Sequence, residues 1–173
     1  MGQLGTTIAH CAKPALGLGT SLCSGIDAST AARFPRGDAG VIRTNHPVFV
    51  MGHLALYPRR ALELCGLDAS GSDVPARYDE LFAAGKECIE DTDGSHPGLE
   101  DVLACWQAST ESAIARLPEA DDDILAQENP IEGFRSRAPT IGDAANFLMN
   151  SHAMFHLGQL SAWRRAMGLA SIS

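Results

Sequence analysis

The chain has 173 residues, of which 45% are apolar and 20% charged, a composition typical of a soluble globular domain rather than a disordered segment. The 21 acidic residues outnumber the 13 basic ones and the net charge is −8, which argues against the basic surface that nucleic-acid binding needs. No uncharged stretch is long and apolar enough to span a membrane. We therefore expect one soluble domain covering residues 1–173.

The five cysteines are odd in number and contain no C-x-x-C pair, so they do not predict a disulfide framework. Residues Met1–Ala12 lack the basic start and continuous apolar core of a secretory signal. We expect reduced thiols in a cytoplasmic protein.

Apolar residues recur at helical spacing from Gln3 to about Ala32, which predicts the first helix. A second helix is predicted from Asn45, as its N-cap, to the exit residue Gly66. Within that helix Pro58 predicts a kink about one turn beyond His53.

The polar connection Leu67–Ser95 contains one short predicted helix, Arg77–Lys86. The third long helix is predicted over Pro97–Leu117 with Ser95 as its cap, and the connection Pro118–Pro139 follows it. Connections of this length are often lids or binding loops.

The last predicted helix runs from Thr140 to Gly168, and Thr140 with Asp143 forms a variant capping box at its start. Its expected inward stripe comprises Ile141, Ala145, Leu148, His152, Phe155, Gln159 and Trp163. Four long amphipathic segments and two long connections predict an all-α fold, an antiparallel four-helix bundle.

His152 and His156 lie four residues apart and hence on one face of the last helix, a spacing at which two imidazoles can hold one metal ion. Core histidines satisfied by hydrogen bonds are the alternative. His53 lies on the inward stripe of the second helix and can meet this pair if the two helices are neighbours. Three histidines with open coordination positions are typical of catalytic sites and suit Zn, Ni, Fe or Cu.

The other histidines have weaker indications. His46 precedes His53 by one heptad and either faces the same site or only begins the helix. His10 either lines the cavity or belongs to packing or surface, and His96 is predicted to be a surface residue at a helix start.

Two segments carry a resemblance to a known family. Asn45–Ala55, NHPVFVMGHLA, resembles the sequence around the first metal histidine of the DinB superfamily. Ser151–Leu160, SHAMFHLGQL, is similar to the family's closing H-x-x-x-H-x-G-Q, and RRAMGL follows it as in the family's basic tail. The long helices and connections fit as well, so the resemblance covers nearly the whole chain.

The resemblance implies a four-helix bundle, a homodimer, and a divalent metal on His53, His152 and His156. Characterised DinB enzymes include transferases and isomerases that use low-molecular-weight thiols. Zn or Ni is the first expectation for the metal, with Fe or Cu also suited, and a thiol is a candidate cosubstrate. No thiol-binding signature identifies the small-molecule substrate.

The enzymatic hypothesis gives the metal a water or a thiol as nucleophile toward a small electrophile. Gln159, Tyr57 and His46 are the candidate supporting residues. The first alternative is a non-catalytic metal-containing binding or stress-response module, and the second is a plain bundle with vestigial histidines. The expected cavity wall comprises His46, Phe49, Val50, Tyr57, Phe155 and Gln159, with Pro118–Pro139 as a candidate lid.

Overall fold

The computed structural model describes residues 2–172, and most of them are helical. The helices are α1 (Gln3–Cys23), α2 (Pro47–Ala55), α3 (Tyr57–Leu64), α4 (Arg77–Phe82), α5 (Leu99–Arg116), α6 (Asp122–Leu125), α7 (Ile141–Asn146) and α8 (His152–Ala166). A π-helical turn, Phe147–Ser151, joins α7 to α8, and 3₁₀ turns cover Leu117–Glu119 and Glu132–Phe134. The only strands among these residues, β1 (Arg36–Gly37) and β2 (Gly40–Val41), form a small antiparallel hairpin with Gly37 opposite Gly40. The expectation of an all-α fold is confirmed.

The long helices pack against one another around two apolar clusters. Helix α1 contacts α5 and α8, and α2 contacts α4, α5 and α8. The larger cluster includes the buried indoles of Trp106 and Trp163, and the smaller one includes Leu117 and Leu125. The contact between α2 and α8 brings together the segments that carry His53 and the His152/His156 pair. No helix in residues 2–172 combines the length and apolarity needed to cross a membrane.

Several helix ends differ from the sequence-based expectation. Helix α1 ends at Cys23 rather than near Ala32, and Gly25, two residues later, has a φ of +69° that glycine adopts without strain. His46, not Asn45, is the N-cap of α2, because its Nδ1 accepts a hydrogen bond from the backbone N–H of Phe49. The predicted second helix is broken at Leu56 into α2 and α3, just before Pro58.

The later helix boundaries agree with the sequence-based expectation only in part. Helix α5 begins at Leu99 after Gly98, so Ser95 is not its cap; the Ser95 N–H instead donates to carboxylates of the acidic loop before it. Helix α4 is shorter than Arg77–Lys86 and ends at Phe82. The capping box of Thr140 and Asp143 is confirmed, with both reciprocal hydrogen bonds present.

Candidate metal centre

The position of His53 follows from where α2 begins and how closely it packs. Pro47 occupies the first turn, where a missing N–H has no consequence, and every residue of α2 is buried. At Gly52 an added Cβ would overlap the ring of Phe82, so glycine is what lets α4 approach this closely. The Nδ1–H of His53 consequently reaches the backbone carbonyl of Phe82 and donates to it at 2.6 Å.

The other two histidines occupy the first turns of α8. His152 is the first residue after the π-helical turn, and its ring centroid lies 4.6 Å from that of His156, one turn further on. A π turn accommodates one more residue than an α turn and so rotates everything beyond it. Both imidazoles are half-buried and face His53 on α2.

Three ring nitrogens converge between the two helices. Nε2 of His152 lies 3.2 Å from Nε2 of His53 and 3.1 Å from Nε2 of His156. One ring nitrogen from each residue lies within 4.8 Å of the other two. Nitrogens bound to one ion at about 2.1 Å are separated by about 3.0–3.4 Å at bond angles of about 90–109°. These separations of 3.2 and 3.1 Å therefore match those of ligands to a single divalent ion.

The outer nitrogens of two imidazoles are held by acceptors. Because a carbonyl oxygen can only accept, the bond to Phe82 places the proton of His53 on Nδ1. His156 Nδ1–H likewise donates to the side-chain oxygen of Gln159 at 2.8 Å. Both residues therefore direct an Nε2 lone pair into the centre, the arrangement found in metal-binding histidines.

The donor set fits a cation better than it fits hydrogen bonding alone. His152 Nε2 faces two lone pairs but could donate a proton to only one of them. Its Nδ1 is buried and has no partner among the described residues. One cation shared by the three Nε2 atoms would remove the conflict at His152 Nε2, and Nδ1 would then carry the proton of that ring.

Burial keeps the imidazoles neutral. It lowers the pKa of His53 to about 4 and that of His152 to about 3. Burial also lowers the pKa of His156, although the hydrogen bond to Gln159 opposes that shift. The lone pairs are therefore available at pH 7.

Aromatic rings surround the centre. The Tyr57 ring centroid lies 4.8 Å from that of His53 and 4.3 Å from that of His152. Three phenylalanines each contact one site histidine, namely Phe49 on His53, Phe147 on His152 and Phe155 on His156. Phe134 of the second long connection packs against Phe147 at 5.0 Å, so this connection reaches the wall of the site.

Of the three supporting candidates, two lie at the centre and one does not. Gln159 and Tyr57 contact the site histidines directly. His46 is fully buried away from them, its Nε2–H donating to the Ile89 carbonyl at 2.9 Å while Nδ1 caps α2. The expectation that His46 faces the site is wrong, because protein groups occupy both ring nitrogens.

Other expectations for the wall also need correction. Phe155 is 64% exposed rather than inward, and Val50 is fully buried in the core. Of the alternatives for His10, the surface position is the one observed, since His10 is exposed on α1. His96 is not a surface residue, since its side chain is only 5% exposed and its Nδ1 lies 3.6 Å from Asp91.

Sequence reasoning missed three contributors to the site. The Phe82 carbonyl is a backbone group and so has no signature of its own, although Gly52 beside His53 signals a close approach. Phe147 lies one turn before His152, where an aromatic residue reads as ordinary core. Asn45 donates through Nδ2 to Gln159 Oε1 at 3.0 Å, a contact between residues 114 positions apart.

The chain matches no known protein-family model, and it matches none of the curated proteins with which it was compared.

Proposed function

We propose that this chain is a DinB-like metalloprotein that binds a divalent transition metal, Zn or Ni in the first instance, on His53, His152 and His156. We further propose that it is an enzyme in which a low-molecular-weight thiol or water attacks a small electrophile. The observation that carries the proposal is the convergence of three neutral Nε2 atoms, two of them oriented by acceptors on their outer nitrogens.

The charge of the centre favours an anionic nucleophile. Among the described residues, the groups that shift the pKa values of these histidines include Arg60 but no carboxylate. A divalent ion on three neutral imidazoles would keep its full charge and lower the pKa of a bound thiol or water. Three protein ligands also leave positions free for such a group.

The surrounding side chains have distinct roles in this proposal. The Phe82 carbonyl and Gln159 hold the ligand imidazoles in one orientation. Burial raises the pKa of Tyr57, so its hydroxyl stays protonated at pH 7 and is available as a hydrogen-bond donor, while its ring packs against His152. The Phe147 ring, which packs against His152 and Phe134, shields one side of the centre from water.

The rest of the family resemblance is part of the same proposal. An antiparallel four-helix bundle would be formed by α1, α2 with α3, α5, and α7 with α8, as the pairwise packing of these helices supports. A homodimer would cover apolar side chains such as Met154 and Phe155, which are 46% and 64% exposed on α8.

The test is metal analysis of protein purified from medium containing Zn²⁺ and Ni²⁺, followed by titration of the Co²⁺-substituted protein with small thiols. We expect one ion per chain and a thiolate-to-Co²⁺ absorption band when a thiol binds. His10→Ala, which changes an exposed histidine, is the matched control and should keep the ion. A chain that takes up no transition metal would overturn the proposal, and an ion that accepts no thiol or other exogenous ligand would point to the non-catalytic module.

A further inference from the structure

The side-chain amide of Gln159 receives two hydrogen bonds on one atom. Its Oε1 accepts from Nδ1–H of His156 at 2.8 Å and from Nδ2–H of Asn45 at 3.0 Å. Both amide residues are half-buried. Asn45 therefore connects the segment before α2 to a metal-site histidine on α8 through one intervening side chain.

The orientation of that amide decides which nitrogen of His156 carries the proton. With Oε1 toward His156, the proton stays on Nδ1 and Nε2 keeps its lone pair. If the amide turned over, its NH₂ group would donate to Nδ1, and the proton would move to Nε2. An imidazole protonated on Nε2 cannot offer that atom to a metal ion.

The Asn45 amide is coupled to the choice between these orientations. With Asn45 oriented as in the structure, a turned-over Gln159 amide would direct its NH₂ group at the Asn45 NH₂ group, so Gln159 can turn over only if Asn45 turns over with it. The Asn45 side chain has no helix-capping task, since His46 supplies the N-cap of α2. Gln159 is its one hydrogen-bond partner among residues 2–172.

We propose that Asn45 is a positioning residue for the metal centre, acting through Gln159 to hold His156 as the Nδ1–H tautomer. This inference rests on the proposed metal-binding function of the same site. It assigns the asparagine of the N-H-P segment a role in ligand chemistry rather than in starting a helix.

Asn45→Asp separates this role from simple electrostatics. An aspartate has almost the same shape, but it can only accept, so it draws the NH₂ group of Gln159 and turns the amide over. If Asn45 acts on His156 through Gln159, an arrangement we call the relay, the Asn45→Asp variant should bind Co²⁺ more weakly than the Asn45→Ala variant does. A carboxylate acting only through its charge would instead attract the cation and tighten binding.

The experiment measures Co²⁺ affinity at pH 8 from the visible absorption of the bound ion. Gln159→Leu should weaken binding about 10–100-fold, the usual effect of losing a supporting partner. Adding Asn45→Asp to Gln159→Leu should cause no further loss, because Asn45 acts through Gln159. Gln107→Glu, an equivalent amide-to-carboxylate change on α5, should leave the affinity unchanged. Co²⁺ binding by Asn45→Asp equal to or tighter than that of Asn45→Ala would overturn the inference.

A second measurement does not depend on metal binding. Two-dimensional ¹H–¹⁵N NMR of metal-free protein reports the tautomer of His156 directly, with Gln107→Glu again as the control. We expect the Nδ1–H tautomer in the wild type and the Nε2–H tautomer in Asn45→Asp. An unchanged tautomer would overturn the inference even if the wild type binds Co²⁺. Conversely, a wild type that takes up no metal would remove the proposed function, while the tautomer measurement would still decide the relay.

Discussion

His46 and His53 lie seven residues apart at the two ends of α2, and they differ in what their ring nitrogens contact. Protein groups bind both nitrogens of His46, the Phe49 N–H at one and the Ile89 carbonyl at the other. Only Nδ1 of His53 is bound in this way, and its Nε2 faces the nitrogens of α8. Burial lowers the pKa of both residues to about 4, so neither burial nor pKa separates a structural histidine from a candidate ligand. The two residues differ in the second ring nitrogen, which contacts a protein backbone group in His46 and faces another histidine in His53.

The largest effect that tests this comparison is expected from His152→Ala. His152 Nε2 lies near both other candidate ligands. Loss of a residue that only orients a ligand weakens metal binding about 10–100-fold, and removal of His152 should weaken it further. The fold should persist, because the only hydrogen-bond contacts of His152 among the described residues are those with His53 and His156. Metal stoichiometry and circular dichroism measure the two effects.

His46→Ala should give the reverse pattern. It removes the cap of α2 and leaves the Ile89 carbonyl unpaired, which together should lower the free energy of unfolding by about 2–4 kcal/mol. Metal affinity in the folded protein should stay within a few-fold of the wild type. If His46→Ala lost the metal while remaining folded, the distinction between the two histidines would fail.

The low pKa of His46 predicts a second difference, in the dependence of stability on pH. Its folded-state pKa of about 4 lies below the unfolded value near 6.5, so the unfolded chain binds this proton first as pH falls. The corresponding stability is complete above about pH 6.5 and is lost between about pH 6.5 and 4, on the order of 3 kcal/mol in total.

His46→Asn isolates that contribution, since asparagine can cap α2 but does not titrate. Urea unfolding of metal-free wild type and variant at several pH values between 4.5 and 7.5 should show a flatter dependence in the variant. The other buried histidines are present in both proteins and cancel in the difference. Parallel curves would show that His46 is not held neutral by the fold.

These contrasts also explain how far the sequence could predict the structure. The pairing of His152 with His156 follows from helical spacing alone, and the capping box at Thr140 follows from local chemistry. The tertiary partners of His46, His53 and Gln159 are not encoded near them, since two are backbone carbonyls and the third is 114 residues away. Sequence spacing therefore located the ligand candidates but not what orients them.

The last helix shows a different departure from the sequence-based expectation. The expected inward stripe on the last helix includes Phe155, Gln159 and Trp163. Of these only Trp163 is among the buried residues of α8, which are Ala153, Leu157, Leu160, Trp163 and Arg164. The expected stripe requires a continuous α-helix, whereas the wide turn at Phe147–Ser151 introduces one extra residue. Beyond this turn Phe155 is exposed and Gln159 is half-buried, whereas Trp163, also in the expected stripe, is fully buried.

Glycine substitutions test the carbonyl that orients His53. Gly52→Ala places a methyl group against the Phe82 ring and should lower the free energy of unfolding by about 1–3 kcal/mol. It should also weaken metal binding, because the Phe82 carbonyl moves away from His53 Nδ1. Gly158→Ala on α8 is the matched control: its Cβ would point into open space, so it should stabilise the helix by up to about 1 kcal/mol. Equal unfolding energies and metal affinities for the two variants would show that close approach of α4 does not matter.

The smallest effect is expected at Phe155, a member of the expected inward stripe that is exposed in the structure. Because its side chain is 64% exposed, Phe155→Ala should change the free energy of unfolding of the monomer by less than about 0.5 kcal/mol. Phe82→Ala, at a fully buried ring, should lower it by about 3–5 kcal/mol. In the proposed homodimer Phe155 is covered, so the same substitution should shift light-scattering mass toward the monomer while leaving the metal content unchanged. A large loss of monomer stability from Phe155→Ala would place this ring in the core and restore the stripe expected for a continuous helix.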